Sequence, residues 1–249
     1  MENLHRTTFD NQLIELDSVD STNNYAMGQI HEGMAFDGLV CLAHHQTAGK
    51  GQRGKTWISE PGQNLNMSLV IVPQTLDLSL QFLFSASVSL GIIDLVRKFY
   101  PNNWSIKWPN DIYWNDRKAA GILIESVIQG NEWLYAVAGI GINLNQDSFD
   151  PEIQNAVSIY QITGGKYEAI PFAKELVPFV QMRIARLRVN PEEILMDFNQ
   201  NLYKKDFTVD LKMGRDLFET RIMGVDSKGS LLTTNGSFNW GEVEWIVKK

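Results

Sequence analysis

The chain has 249 residues, 44% hydrophobic and 20% charged, a composition that lets a globular protein bury a full core. No uninterrupted apolar run approaches the roughly 18–20 residues of a membrane span. The formal net charge of −7 argues against broad nucleic-acid binding, which requires net positive surface. The opening MENLHRTTFD lacks an apolar leader and the single Cys41 excludes an internal disulfide, so the expectation is a reducing, cytoplasmic setting with no membrane and no DNA partner.

In chain order, LIELDSV at 13–19 alternates apolar and polar residues and predicts a short strand. Asp20-Ser21-Thr22-Asn23 then signals a helix start, with Tyr25, Ala26 and Ile30 as the apolar side of the helix. Ser21 and Thr22 either cap that helix or face a ligand. Residues 38–46 predict a buried strand with Cys41 in the core; His44 and His45 at its end have no partner at metal-ligand spacing, and no metal site is expected. This strand delivers TAGKGQRGKTW, Thr47–Trp57, in which Gly49, Gly51 and Gly54 are interleaved with Lys50, Arg53 and Lys55. Glycines let backbone N–H groups turn toward one point and the cations add charge, which makes an anion-binding loop; the alternative is a solvated basic turn.

Residues 65–73 predict a further strand, and 78–99 recur apolar at helical spacing as the main core helix. Trp104–Trp108 predicts a short strand stopped by Pro109, leaving Asn110 and Asp111 at a turn where both side chains can face a cleft. Strands are expected at 111–115, 119–129 and 132–142, the last two antiparallel through Gly130-Asn131. Gly139 and Gly141 would leave one face of the sheet bare, either for a flat ligand or for a crowding neighbour helix. Helices are expected at 171–188 and 191–202, each with a proline in its first turn. From Lys204 short alternating runs and glycine turns predict a small β-barrel, dividing the chain into domains 1–203 and 204–249.

The loop GKGQRGKTW, the run KWPND at Lys107–Asp111, RKAAGILIE at Arg117–Glu125 and the terminal GEVEWI together resemble the motifs of the biotin–protein ligases, in the family's order, from about Leu13 to Trp245. The resemblance implies an α+β fold, a central mixed β-sheet flanked by helices and related to that of lipoate ligases, with a small C-terminal SH3-like β-barrel. It is to the monofunctional type without an N-terminal DNA-binding domain, because the first strand begins near residue 13. The implied activity is an ATP-dependent ligase that makes biotinyl-AMP and passes biotin to a lysine of a biotin carboxyl carrier protein domain. Lipoate or another acyl group, or a non-enzymatic biotin-sensing module, are the alternatives.

Carried over by position, the resemblance gives biotin Ser21, Thr22, Asn23, Gln46, Gly49, Lys50, Gly51, Gln52 and Lys118, with Gly139 and Gly141 as the floor. It gives ATP Lys50, Arg53, Trp57, Asn110, Asp111, Lys118 and Asn143, and makes Lys118, Lys50 and Arg53 the catalytic cations. Magnesium is expected with the ATP, and open strand edges allow a homodimer. Two positions depart from the family pattern: Lys50 and Gln52 stand where it has arginines, and glutamine keeps neither the charge nor the planar fork.

Overall fold

The structure is a computed structural model that describes residues 9, 11–150, 153 and 155–246. Apart from Phe9, the MENLHRTTFD segment read above for a leader lies largely outside the described residues. In chain order the elements are β1 (Leu13–Val19), α1 (Thr22–His31), β2 (Val40–Gln46), β3 (Asn64–Ile71), α2 (Gln81–Phe99), β4 (Trp104–Lys107), β5 (Asp111–Trp114), β6 (Arg117–Gln129) and β7 (Glu132–Asn143). They continue with α3 (Ile159–Thr163), α4 (Ala169–Val189), α5 (Pro191–Gln200), β8 (Thr208–Met213), β9 (Asp216–Val225), β10 (Leu231–Thr233), β11 (Gly236–Phe238) and β12 (Glu244–Ile246). The chain divides into two compact units, one of residues up to Leu76 with Ala120–Pro178, the other of Asp77–Ala119 with residues from Phe179 onward.

In the first unit the strand order is β1-β2-β3-β7-β6. β1 and β2 are parallel, as the intervening helix α1 requires, and the remaining neighbours are antiparallel, so the sheet is mixed. Gly130 and Asn131 make the turn between β6 and β7, closing on the Gln129–Glu132 pair. α1 lays its apolar side on this sheet: Ala26 packs with Leu39, Cys41, Val70 and Val137, joined by Tyr25 and Ile30. Burial pushes the Cys41 thiol up to about 12, which fits a core residue and not a nucleophile. α3 is an addition to the predicted elements. Ser158 and Gln161 form a reciprocal capping box at its start, and Gly164, at φ 75°, ends it.

In the second unit α2 is the core helix, preceded by a 3-10 turn at Leu78–Leu80. Leu78–Phe99 is long and apolar enough to cross a membrane by length and composition, but 67% of its most apolar window is buried inside the protein. β4 and β5 form an antiparallel hairpin. α4 starts at Ala169, two residues before Pro171, and runs on through a second proline, Pro178, which offers no N–H to the helix ladder. Pro191 occupies the first turn of α5 as expected, with Asn190 capping Glu193.

The C-terminal strands pair antiparallel in the order β11-β10-β9-β8-β12. The expected barrel is therefore present as a five-stranded sheet whose pairing does not close among the described residues. This sheet is fastened within its unit: the Trp108 indole N–H donates to the Gly229 carbonyl at 2.8 Å, and the Asn199 amide exchanges two hydrogen bonds with the backbone of Val225. Gly229 is required there, because a Cβ would lie 2.6 Å from the Phe82 ring.

Arg183 links three helices of the second unit. Its Nε and Nη2 grip both oxygens of Asp94 at 2.6 and 3.0 Å, while Nη1 bonds Asp197. Bidentate geometry and side chains only 17–23% exposed make this group stronger than a surface pair. Arg183→Ala leaves two carboxylates facing each other without their cation and should cost about 2–3 kcal/mol, read as a fall of the melting temperature of about 4–12 °C. A shift under one degree would place Arg183 among ordinary surface charges.

Candidate active site

The site in the first unit is built on a register. β3 pairs with β7 so that Ser68 lies opposite Gly139 and Asn66 opposite Gly141. Directly opposed residues share a face, so two polar side chains flank two positions with no side chain. Asn23, in the first turn of α1, comes down over Gly139: a Cβ there would lie 2.3 Å from Asn23 Oδ1. The Trp57 indole covers Gly141 in the same way, 2.4 Å from the position of a Cβ. The face expected to be bare is thus occupied by Asn23 and Trp57, and at Gly139 the helix-crowding alternative is the one the structure displays.

Around this floor the polar groups are buried and connected. Ser21 is the N-cap of α1 by its extended backbone, yet its side chain makes no capping bond; the amide oxygen of Gln46 takes that role, accepting the Thr22 N–H at 2.8 Å, with the Thr22 hydroxyl at 3.2 Å. The Ser68 hydroxyl is 2.6 Å from Asn23 Oδ1 and 2.8 Å from Thr22 Oγ1. With the Thr22 proton directed at Gln46, the single Ser68 proton is shared between two acceptors, the Asn23 oxygen and the Thr22 hydroxyl oxygen. Asn23 Nδ2 donates to Glu125 Oε2 at 2.7 Å. Asn66 Oδ1 accepts from Trp57 Nε1 at 3.0 Å, which fixes the amide and leaves its buried Nδ2 without a hydrogen-bond partner beside Gly141. An unmade bond of this kind costs about 1–3 kcal/mol, and it is a donor waiting at the floor.

The glycine-rich loop is a tight hairpin. Trp57 N–H bonds the Gly49 carbonyl at 2.9 Å, Gly51 N–H bonds the Lys55 carbonyl at 2.7 Å, and Lys50 bridges Thr56. Arg53 (φ 54°) and Gly54 (φ 74°) reverse the chain at its tip. Gly49 admits no side chain, since a Cβ would lie 2.4 Å from the Trp57 carbonyl oxygen. The N–H groups of Gly51, Lys55 and Trp57 are engaged inside the hairpin and are not offered to an anion. Gln52 reaches the strand beside it, donating to the Ile122 carbonyl at 3.3 Å, and Lys50 Nζ lies 3.5 Å from Glu125 Oε1.

Asn143, on the last residue of β7, donates to the Val157 carbonyl at 3.2 Å and ties that strand to the segment before α3. Beyond the loop, Ile58, Glu60, Gln63, Asn145, Tyr160 and Lys166 line part of a cleft of about 620 Å³. The second unit holds the other predicted residues: Asn110 is buried, and Asp111 Oδ1 pairs with Lys118 Nζ at 2.7 Å, each about a third exposed. Ser68, Asn66 and Glu125 were not predicted. The first two had a signal, since Asn64, Asn66 and Ser68 alternate through a strand read as buried. No group of three or more His, Cys, Asp and Glu suited to a metal occurs among the described residues; His44 bonds Glu15 at 2.7 Å.

Residues 15–143, half of the chain, match the biotin/lipoate A/B protein ligase family. The chain belongs to that family. It is 29% identical over 238 residues to the bifunctional ligase/repressor BirA of Salmonella typhimurium, covering 93% of this chain and 72% of that protein. It is 34% identical over 164 residues to the biotin--[acetyl-CoA-carboxylase] ligase of Paracoccus denitrificans, covering 64% of this chain and 67% of that one. The fold is that of the biotin protein ligase from Aquifex aeolicus solved in complex with biotin and ATP, with a TM-score of 0.79, 24% identity, and coverage of 95% of this chain and 99% of that one. Within this ligase family fold, the glycine floor, the polar first turn of α1 and the cationic hairpin all lie in the part matched by the family.

Gly141→Ala drives a methyl group into the Trp57 ring and should destabilise the protein by about 1–3 kcal/mol, measured by the denaturant midpoint. Removing the ring in the same chain with Trp57→Ala should recover part of that loss. If the two losses simply add, the ring and the glycine are not in contact.

Proposed function

We propose that this chain is an ATP-dependent biotin–protein ligase whose catalytic domain is residues 1–203, with 204–249 as its SH3-like appendage. The observation that carries this reading is the glycine floor of β7, roofed by Asn23 and Trp57 and ringed by Thr22, Gln46, Ser68 and Asn66, next to a hairpin bearing Lys50 and Arg53. A neutral, flat, amide-like ring suits that set, because amide and hydroxyl groups can give and accept hydrogen bonds with a ureido group in a buried place. Ser21, Thr22, Asn23 and Gln46 would hold the ring end, Gly139 and Gly141 the floor, and Trp57 would turn aside or stack as ligand enters. The cleft beyond Ile58 is of a size for the nucleotide end of an adenylate, with Asn143 near its rim in sequence and Asn110 carried over for adenine.

The reaction joins two anions. The biotin carboxylate oxygen attacks the α-phosphorus of ATP and pyrophosphate leaves; then the amine of a carrier lysine attacks the acyl carbonyl, losing a proton, and AMP leaves. Repulsion between the carboxylate and the polyphosphate is the barrier that fixed cations lower. Lys118, Lys50 and Arg53 take that part, while Gly49, Gly51 and Gln52 shape the hairpin and Asp111 holds Lys118 until the anions arrive. Magnesium would come with the nucleotide and would offset part of the polyphosphate charge. The acceptor is a biotin carboxyl carrier domain of a carboxylase, and the cytoplasm, where ATP is abundant, is the setting.

Pyrophosphate release from ATP should be triggered by biotin and not by lipoate, and Lys118→Ala should slow it by about a hundredfold or more while the melting temperature changes little. Release triggered by lipoate would reassign the acyl group. Undiminished release in folded Lys118→Ala would take this residue out of the mechanism.

A further inference from the structure

We infer that Glu125 is a positioning residue and an internal counter-anion: it aims the Asn23 amide with one oxygen and holds the Lys50 ammonium with the other, surrendering Lys50 when the acyl-phosphate anion arrives. This rests on the biotin and ATP reading given above.

The two oxygens of Glu125 stand in different surroundings. Oε2 accepts from Asn23 Nδ2 at 2.7 Å, and Asn23 is only 3% exposed, with its own oxygen held by Ser68. Both ends of that amide are therefore fixed, and the carboxylate is anchored from the buried side. Oε1 lies 3.5 Å from Lys50 Nζ, and the side chains are 31% and 42% exposed. A long, half-exposed ion pair adds little net stability and exchanges readily. Lys50 also lies in the field of a second carboxylate: Asp20 is held below the usual range, first by the side-chain hydrogen bond from Asn24 and in smaller part by Lys50.

A carboxylate beside a cation that is to meet an anion works against binding unless it can let go on one side only. Glu125 has that asymmetry. When a phosphate oxygen draws Lys50 away, Oε2 keeps its bond to Asn23, so the ring end of the pocket is not loosened. The negative charge that remains opposes the bound adenylate, and Glu125 therefore sets how long the intermediate is retained before transfer.

Glu125→Gln and Glu125→Ala separate the two roles. Glutamine keeps an oxygen for Asn23 and loses the charge; alanine loses both. In full-length protein, Glu125→Ala should weaken biotin binding by about tenfold by leaving the buried Asn23 amide only the long 3.5 Å contact with the Leu123 carbonyl, and Glu125→Gln should restore most of that affinity. Escape of labelled biotinyl-AMP should be slower in Glu125→Gln than in wild type by about three- to tenfold, the reverse of what a merely structural residue would give. Without any ligand, amide exchange across residues 47–57 should be faster in Glu125→Gln, because Lys50 is no longer held. Adenylate escaping from folded Glu125→Gln at the wild-type rate or faster overturns the counter-anion role, as does unchanged exchange in the loop. Equal biotin affinity in the two variants overturns the positioning role. A wild type that binds no biotin overturns the functional reading, and the loop exchange still decides whether Glu125 holds Lys50.

Discussion

The site in the first unit depends on the close approach of two side chains to the backbone of β7. Asn23 and Trp57 stand where Cβ atoms of residues 139 and 141 would be, so these positions have to be glycine as long as α1 and the hairpin sit where they do. Their placement follows from the parallel pair β1 and β2. That pairing ends at Val19 opposite Gln46, so the chain leaves the sheet toward α1 and toward the hairpin at the same level. Thr47 and Ala48 continue the contact by bonding the carbonyls of Val19 and Asp20. Gln46 can then cap α1 across the gap, and the start of α1 and the cationic hairpin are brought together over one face of β7.

Much of this frame was legible because it is local. Period-two alternation gave β1, helical spacing gave α2, and Gly130-Asn131 gave the β6–β7 hairpin, each a pattern that needs no knowledge of distant partners. α3 was missed although its Ser158–Gln161 box is a readable start, because five residues are too few for periodicity to register. The strands of the C-terminal domain were legible from texture, whereas closure of the barrel was not. Alternation and glycine turns mark strands, but closure depends on which edges meet, and here β11 and β12 remain at opposite ends of the order.

The candidate site divides along the same line. Composition alone could pick out the hairpin cations and the paired glycines, since both are dense local signals. What covers the glycines is decided by register between β3, β7 and α1, and nothing within any one of those segments encodes it. Ser21 shows the difference: its position is that of a cap, yet the bond is made by Gln46 from the neighbouring strand. Glu125 was visible only as the end of a hydrophobic run, and its two partners, Asn23 and Lys50, lie 102 and 75 residues away in sequence.

The electrostatics answer a difficulty posed by the composition. An acidic chain that must bind anions needs positive charge that is available to the right ligand and not to every anion in solution. Lys50 is paired with Glu125 and Lys118 with Asp111, each at or near the surface and each exchangeable. A free phosphate must displace a carboxylate without other compensation. A ligand that also fits among Thr22, Asn23 and Asn66 brings binding energy from a neutral end, and that energy can offset the loss of the ion pair. Pairs this exposed cost little to open, so on the proposed reading any preference for an anion attached to the correct ring comes mainly from the neutral end, where Asn66 keeps a buried donor beside Gly141.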